Sequence, residues 1–372
     1  MTAKQILITG GAGFVGAHTA DALIEAGHRV RVFDSLTSRV HQGGASYLPK
    51  DSEFILGDVR HLEKLRKAVE KVDVIFHLAA AVGVGQSMYE IAEYTSVNSL
   101  GTANLLQAIL DTGSTPEKIV VASSMSIYGE GSYLCSSCGE VAPPPRSLDQ
   151  LAKKKWETVC PHCPESLLPV ATREDKLLAA TSIYALSKKD QEEMTLLFGR
   201  TYQIPVVALR YFNIYGPRQS LSNPYTGVAA IFASRLMNRK APVIFEDGRQ
   251  MRDFVSVRDV VAANLRAMET SEADGRALNI GSGEPITIRE IAEQLGEQLG
   301  TKFPADITGK YRAGDVRHCF ADISAAREFL AYQPKVCFAH GVQDLVGWLR
   351  SQSAKDEVDQ AMEQLAVHGL VA

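Results

Sequence analysis

The chain opens with an apolar run, Lys4 to Thr9, that passes directly into Gly10-Gly11-Ala12-Gly13-Phe14-Val15-Gly16 and then into a helical pattern ending near Ala26. Few local sequences restrict a fold so strongly. The run reads as a buried strand cut short by a glycine turn. Glycines three apart permit a tight turn and let a pyrophosphate approach the backbone at a helix N-terminus. Gly10, Gly13, Phe14, Val15 and Gly16 are therefore candidate dinucleotide contacts. The spacing is Gly-x-x-Gly-x-x-Gly, not the more familiar Gly-x-Gly-x-x-Gly. A second strand, from Arg29 to Phe33, ends at Asp34. A carboxylate there accepts hydrogen bonds from an adenosine ribose and repels a 2′-phosphate, which favours NAD. Arg39 nearby leaves NADP open.

Further strands are expected near 53–56, 73–77, 118–123 and 206–210, with helical patterns between the earlier ones. That alternation predicts an α/β fold with a doubly wound parallel sheet and helices on both faces. Asp34, His77 and Ser124 then fall at the carboxyl ends of strands, the edge where such sheets bind ligands. After about residue 216 the pattern loses regularity and suits a smaller substrate-binding lobe, with 277–280 returning to the sheet. The expected division is 1–215 for the dinucleotide-binding domain, 216–350 for the lobe and 351–372 for an amphipathic helix. A formal net charge of -4 on 372 residues is too mild to imply nucleic acid or an anionic membrane as partner. No apolar stretch is long enough for a membrane span and no leader pattern is evident, so a cytoplasmic enzyme is expected.

Tyr184 and Lys188 lie four residues apart in a run from Ser182 to Phe198 that lacks Gly and Pro. On a helix that spacing puts both on one face. An ammonium ~4 Å from a phenolate, at an effective dielectric of about 20, would favour the charged form by about 4 kcal/mol. That is enough to bring a phenol from about 10 toward neutrality, where a general base works best.

A second pattern lies in a segment inserted at 130–180. Cys135-x-x-Cys138 and Cys160-x-x-Cys163 are separated by 21 residues, close to the spacing of four-thiolate zinc sites. The expectation is a structural zinc in a zinc-ribbon-like insertion that also contains Pro143-Pro144-Pro145. Redox-active or vestigial cysteines are the other reading, and His162 could replace one ligand. Cys319 and Cys337 read as isolated core or surface thiols.

Taken together, these segments resemble the extended short-chain dehydrogenase/reductases, the NAD-dependent nucleotide-sugar epimerase/dehydratase family with a Rossmann-type sheet. Gly57-Asp58-Val59, His77-Leu78-Ala79-Ala80, Asn98, Ser123-Ser124-Met125-Ser126-Ile127-Tyr128-Gly129, the Arg210 to Pro217 run and Arg252-Asp253-Phe254-Val255 carry the likeness, over roughly residues 4 to 350. The resemblance implies Asp58, Val59, Leu78, Ala79, Ala80, Asn98 and Ser123 as further NAD contacts. It implies Ser124, Tyr184 and Lys188 as the catalytic set, with the last two also touching NAD. Asn213, Asn223, Arg252, Arg312 and Asp315, with Ser124, are implied on the nucleotide-sugar side, and Arg218 is a weaker candidate for the diphosphate. Within the family, the 84–90 and 219–227 segments and the cysteine-bearing insertion resemble dTDP-L-rhamnose 4-epimerases. The implied reaction is epimerisation at C4 through a transient 4-ketone, with dTDP-L-rhamnose and dTDP-6-deoxy-L-talose as the favoured pair. A UDP-hexose or UDP-uronate 4-epimerase, or a net NAD-linked dehydrogenase, is the alternative. Ser124-Met125-Ser126 stands where the family's dehydratases carry two acids, which disfavours water elimination. A homodimer is implied by resemblance only.

Overall fold

A computed structural model of the chain describes residues 2–41, 47–225, 227–301, 303–352 and 354–372. Thr226, part of the 219–227 segment, lies outside the described residues. Seven parallel strands form the main sheet in the spatial order Ala277–Ile280, Val206–Tyr211, Lys118–Ser124, Val74–His77, Gln5–Thr9, Arg29–Asp34, Glu53–Leu56. The expected strands are present, and 277–280 does rejoin the sheet. The order reverses beside Gln5–Thr9, so the carboxyl ends of the two halves diverge there and leave a crevice.

Side chains alternate between the two faces of each strand. Ile6 and Ile8 enter one core with Leu23 and Val260, and Leu7 enters the other with Leu65 and Leu105. The first core recruits the Val257–Glu269 and Ser324–Leu330 helices, so chain beyond 216 covers one face of the sheet. At the crevice, the backbones meet too closely for side chains. A Cβ on Gly16 would stand 2.3 Å from the Gly10 carbonyl oxygen. Gly10 has φ +70°, and its own Cβ would stand 2.7 Å from the Ala79 amide.

The smaller lobe is built on Asn213–Tyr215, Met251–Ser256 and Pro285–Thr287, with a separate core around Phe232, Phe254, Leu295 and Leu345. Asp253, fully buried, accepts hydrogen bonds from the amides of Ser282, Gly283 and Ala321 and from the Ser282 hydroxyl. It is a brace between strand and loops, not a ligand contact.

The insertion forms a three-stranded antiparallel sheet of Gly139–Val141, Ser132–Cys135 and Leu168–Val170. Its fastening to the lobe is ionic. Arg317 is completely buried and pairs with Glu246 at 2.9 Å, Asp247 at 2.7 Å and Glu157 at 2.5 Å. Arg146 pairs with Glu246 at 2.8 Å and donates to the Asp315 carbonyl at 3.0 Å. Removing one member strands buried charge, which typically costs 3–5 kcal/mol. Arg317→Ala is therefore expected to destabilise the protein by about 3–5 kcal/mol, read as a lower urea midpoint. An unchanged midpoint would mean that the network carries no net stability.

Candidate active site

One continuous cleft of about 1540 Å³ runs along the crevice and into the lobe. Its dinucleotide end is floored by Gly10, Gly13, Phe14, Val15 and Gly16. Gly13 caps the Phe14–Glu25 helix without a side-chain hydrogen bond, so the first helical amides are left to serve an anion. Asp34 is buried at the next strand end, where its carboxylate accepts from the amides of Ala12 at 3.0 Å and Leu36 at 2.9 Å. Asp58, Val59, Leu78, Ala79, Ala80 and Ser123 also line this part. Arg39 lines it as well, but its guanidinium pairs with Glu90 at 2.9 Å. The glycine cradle, open helix end and strand-end carboxylate fit a dinucleotide.

Asn98 departs from expectation. It is fully buried and does not line the cleft. Its amide brackets Ala81, accepting from the Ala81 N–H at 2.7 Å and donating to the Ala81 carbonyl at 3.1 Å and to Ser187 at 2.9 Å. It sets the backbone just after Leu78-Ala79-Ala80 and acts at one remove. His77 likewise turns inward. Its ring bonds Thr9 at 2.7 Å and Thr102 at 2.9 Å, and burial holds it neutral, down to about 3.

Tyr184 and Lys188 lie in the first turns of the Ile183–Tyr202 helix. The Ser182 hydroxyl caps that helix by accepting from the Ala185 amide, and Ser87 accepts from the Tyr184 amide at 3.0 Å. Tyr94 packs edge-on against the Tyr184 ring. Across from them, Ser124 ends its strand. Its Oγ accepts from the Ser126 hydroxyl at 2.9 Å and the Ser126 amide at 3.2 Å. A hydroxyl has two acceptor positions and one proton. With both acceptor positions filled, the Ser124 proton is left for another acceptor, and Tyr184 lines the same cleft.

The electrostatics differ from the sequence expectation. Burial raises the Tyr184 phenol above its usual value, and the Ser124 hydroxyl draws it back down. Lys188 does not supply the expected field. Its ammonium is buried, donates to the Ala122 carbonyl and to Gln191 Oε1 at 2.6 Å, and is itself pulled down to about 7 by burial, against the lifting charge of Glu192. Both line the cleft from one helix, but burial governs each, raising the phenol and lowering the ammonium. Two of the three ammonium protons are engaged, which leaves one for the cleft that Lys188 lines.

Gln191, one turn beyond Lys188, was not anticipated. It links Lys188 to His77 and Thr102, at 3.2 and 2.9 Å. Glu192 was also missed. It accepts from Ser123 at 2.6 Å and takes both arms of Arg210, at 2.6 and 3.0 Å.

On the lobe side, Asn213, Asn223, Arg252, Arg312 and Asp315 all line the cleft. Asn213 Oδ1 is buried with no hydrogen-bond partner among the described residues. Burial would raise the Asp315 carboxyl, but Arg312 and Arg252 hold it below its ordinary range. Arg252 spends donors on the carbonyls of Met251, Val316 and Arg317. Arg218 also lines the cleft, where its guanidinium pairs with Asp21 and lies over the Tyr47 ring. The acids lining the cleft, Asp34, Asp58, Glu93 and Asp315, are each paired with amides or arginines.

The four insertion cysteines converge, with sulfurs all within 4.8 Å of one another. Cys135 and Cys138 lie 3.5 and 3.7 Å from Cys163, far too long for disulfides. A tetrahedral ion with bonds of about 2.3 Å places thiolates about 3.8 Å apart, so the set fits zinc. The His162 amide points at Cys160 at 3.4 Å, while its imidazole is not part of the cluster. Cys319 is buried in the core and Cys337 exposed. Among the described residues, no helix is long and apolar enough to cross a membrane.

Comparison with known proteins places this geometry. Residues 6–281 match the model of the NAD dependent epimerase/dehydratase family. The dTDP-L-rhamnose 4-epimerase of Burkholderia thailandensis is 31% identical over 354 residues, which is 94% of this chain and 96% of that one. The structure of a UDP-glucose 4-epimerase from Thermotoga maritima with UDP-glucose superposes with TM-score 0.77 at 32% identity, over 93% of this chain and 98% of that one. A UDP-glucuronic acid 4-epimerase from Bacillus cereus, in complex with UDP-glucuronic acid and NAD, gives 0.75 at 27% identity, over 93% and 99%. With three-quarters of its length matched and its glycine cradle, strand-end acid and Ser-Tyr-Lys set arranged around one cleft, the chain belongs to the NAD dependent epimerase/dehydratase family.

Proposed function

We propose that the protein is an isomerase that inverts C4 of a nucleotide sugar through a transient ketone, with NAD as a tightly held cofactor. One observation carries this reading. Ser124, Tyr184 and Lys188 line one wall of the cleft, and the Ser124 hydroxyl draws down the phenol that burial raises. NAD, when bound, supplies the hydride acceptor and donor. In its ionised form Tyr184 takes the hydroxyl proton as the ketone forms, and it returns that proton as the ketone is reduced. Ser124 holds the same oxygen in line. Lys188 offers its one remaining N–H to the cofactor ribose. The pairing of Arg39 with Glu90 favours NAD over NADP, because a 2′-phosphate would have to compete for that guanidinium.

On the lobe side Asn213, Arg252 and Arg312 are read as holding the diphosphate, since a guanidinium matches phosphate oxygens two at a time. For the sugar we favour dTDP-L-rhamnose and dTDP-6-deoxy-L-talose, on the likeness of local segments and of the Burkholderia enzyme. Enzymes named for UDP-glucose and UDP-glucuronate share comparable identity, so both belong in the substrate panel. Exposed Leu186 and Leu197 on the Ile183–Tyr202 helix, beside exposed Leu100 and Leu110, support a helix-to-helix homodimer. The four cysteines are read as holding one structural zinc. All four positions would be thiolates, which leaves none for substrate.

The NAD-loaded protein, given a panel of nucleotide sugars and followed by NMR, is expected to form a C4 epimer without accumulating reduced cofactor. Tyr184→Phe should lower turnover by about 10²–10⁴ with unfolding unchanged. Full turnover by that variant would rule out the acid–base role. Metal analysis should return one zinc per chain, and stripping it should open the 130–180 segment to protease. A metal-free protein with an intact insertion would end the zinc reading. Sedimentation should give a dimer that Leu197→Glu dissociates, and a monomeric wild type would refute the interface.

A further inference from the structure

The segment from Asp356 to Ala372 lies beyond the family match, which ends at residue 281. It is nevertheless part of the cleft. The Val358–Val367 helix turns Val358, Ala361, Met362 and Leu365 onto the cleft wall. Leu365 rests on Gly85, 3.0 Å from where a Cβ would stand, so this wall meets the Val84–Ser87 turn without a gap.

Both ends of the segment are tied down. At the first, Lys240 reaches Asp356 and Asp359 at 2.8 Å each, and Arg235 reaches Asp359 at 2.7 Å. At the other, His368 stacks on Tyr89 with centroids 4.6 Å apart and planes 7° from parallel. Residues 370–372 then pair with the Arg312 loop. The amides of Ala313 and Tyr311 donate to the carbonyls of Leu370 and Ala372, at 3.0 and 2.9 Å, and the Ala372 amide returns a bond to Tyr311 at 3.2 Å. Arg312 is thus held in register with Val371, while its guanidinium lies 4.8 Å over the Phe245 ring.

We propose that Asp356–Ala372 is a strap that completes the substrate site. Its apolar helix roofs the cleft against the Val84–Ser87 turn, whose Ser87 accepts from the Tyr184 amide, and its final residues position the Arg312 loop for the diphosphate. The proposal rests on the nucleotide-sugar reading above and adds a role for this segment. The roof offers no hydrogen bond to solvent or sugar, so its effect is to exclude water and keep the ketone in place. Arg312 is placed by backbone pairing, so Leu370–Ala372 are positioning residues. A ketone released before hydride returns would leave one reduced cofactor per molecule lost. The electron pair taken from C4 then stays on the nicotinamide, and the proton stays on Tyr184 or in solvent.

The test compares the NAD-loaded full chain with a chain lacking 356–372, with Leu365→Ser, and with the surface control Glu363→Ala. Two readouts are taken: calorimetric binding of dTDP and UDP, and reduced-nicotinamide absorbance during turnover of whichever nucleotide sugar the wild type accepts. The deletion is expected to weaken nucleoside diphosphate binding by about tenfold or more. Leu365→Ser, which keeps both tethers, is expected to leave that binding near wild type but accumulate reduced cofactor. Glu363→Ala should match wild type in both. If the deletion folds and binds as the wild type does, and Leu365→Ser accumulates no reduced cofactor, the strap has no such role. Should the deletion fail to fold, a chain lacking only 370–372, which unpairs the Arg312 loop, replaces it under the same criteria. If the wild type binds nucleoside diphosphate but turns over no sugar, the epimerase reading falls, while the binding arm still decides the strap.

Discussion

The buried pair between Glu192 and Arg210 holds the chemistry in place. Glu192 projects from the helix that carries Tyr184 and Lys188, and Arg210 from the strand beside the one that ends in Ser124. Glu192 also accepts from Ser123, so one carboxylate binds helix and both strands together. The Tyr128 hydroxyl takes another arm of Arg210 and donates to Asn279 on the outermost strand. A buried pair of this kind adds little net stability over apolar packing, but it penalises every arrangement in which it is unmade. Here that penalty falls on any shift of Tyr184 relative to Ser124. Proton transfer needs that spacing held within a few tenths of an ångström.

Much of the fold was legible because strand and helix periods are local properties. The strands near 4–9, 29–33, 53–56, 73–77 and 118–123 stand where alternation and glycine placed them. Even the return of 277–280 could be anticipated, since an isolated apolar run needs a neighbour to bury it. The grouping of Ser124, Tyr184 and Lys188 came from motif likeness, and all three line the cleft. What failed to be legible was orientation and burial. Asn98 and His77 sit in the right elements but turn into the interior, and nothing in a one-dimensional pattern records which way an amide faces. The Lys188 argument took its dielectric from a surface pair, whereas burial at the real site pulls the ammonium down to about 7. Gln191, at helical spacing from Lys188, carried a signal that could have been read.

The insertion shows how a distant element reaches the site. Its cysteine cluster packs with Tyr133, Val141 and Leu167, yet Arg146 binds the Asp315 carbonyl, and Arg317, whose own carbonyl accepts from Arg252, is gripped by Glu157. Only the cysteine spacing was visible in the sequence. The ion network that joins it to Arg252 and Asp315 is spread over residues from 130 to 317 and emerges only once the chain is folded.

The outermost strand has a consequence for biogenesis. Val206–Tyr211 has no partner on its outer side until Ala277–Ile280 arrives, yet every residue of the Ser-Tyr-Lys set has already left the ribosome by then. A nascent chain paused between those points displays a raw β-edge, the kind of surface that recruits wrong neighbours. Occupying that edge is therefore a late event in translation, and the span between 211 and 277 is where a chaperone would have most to protect.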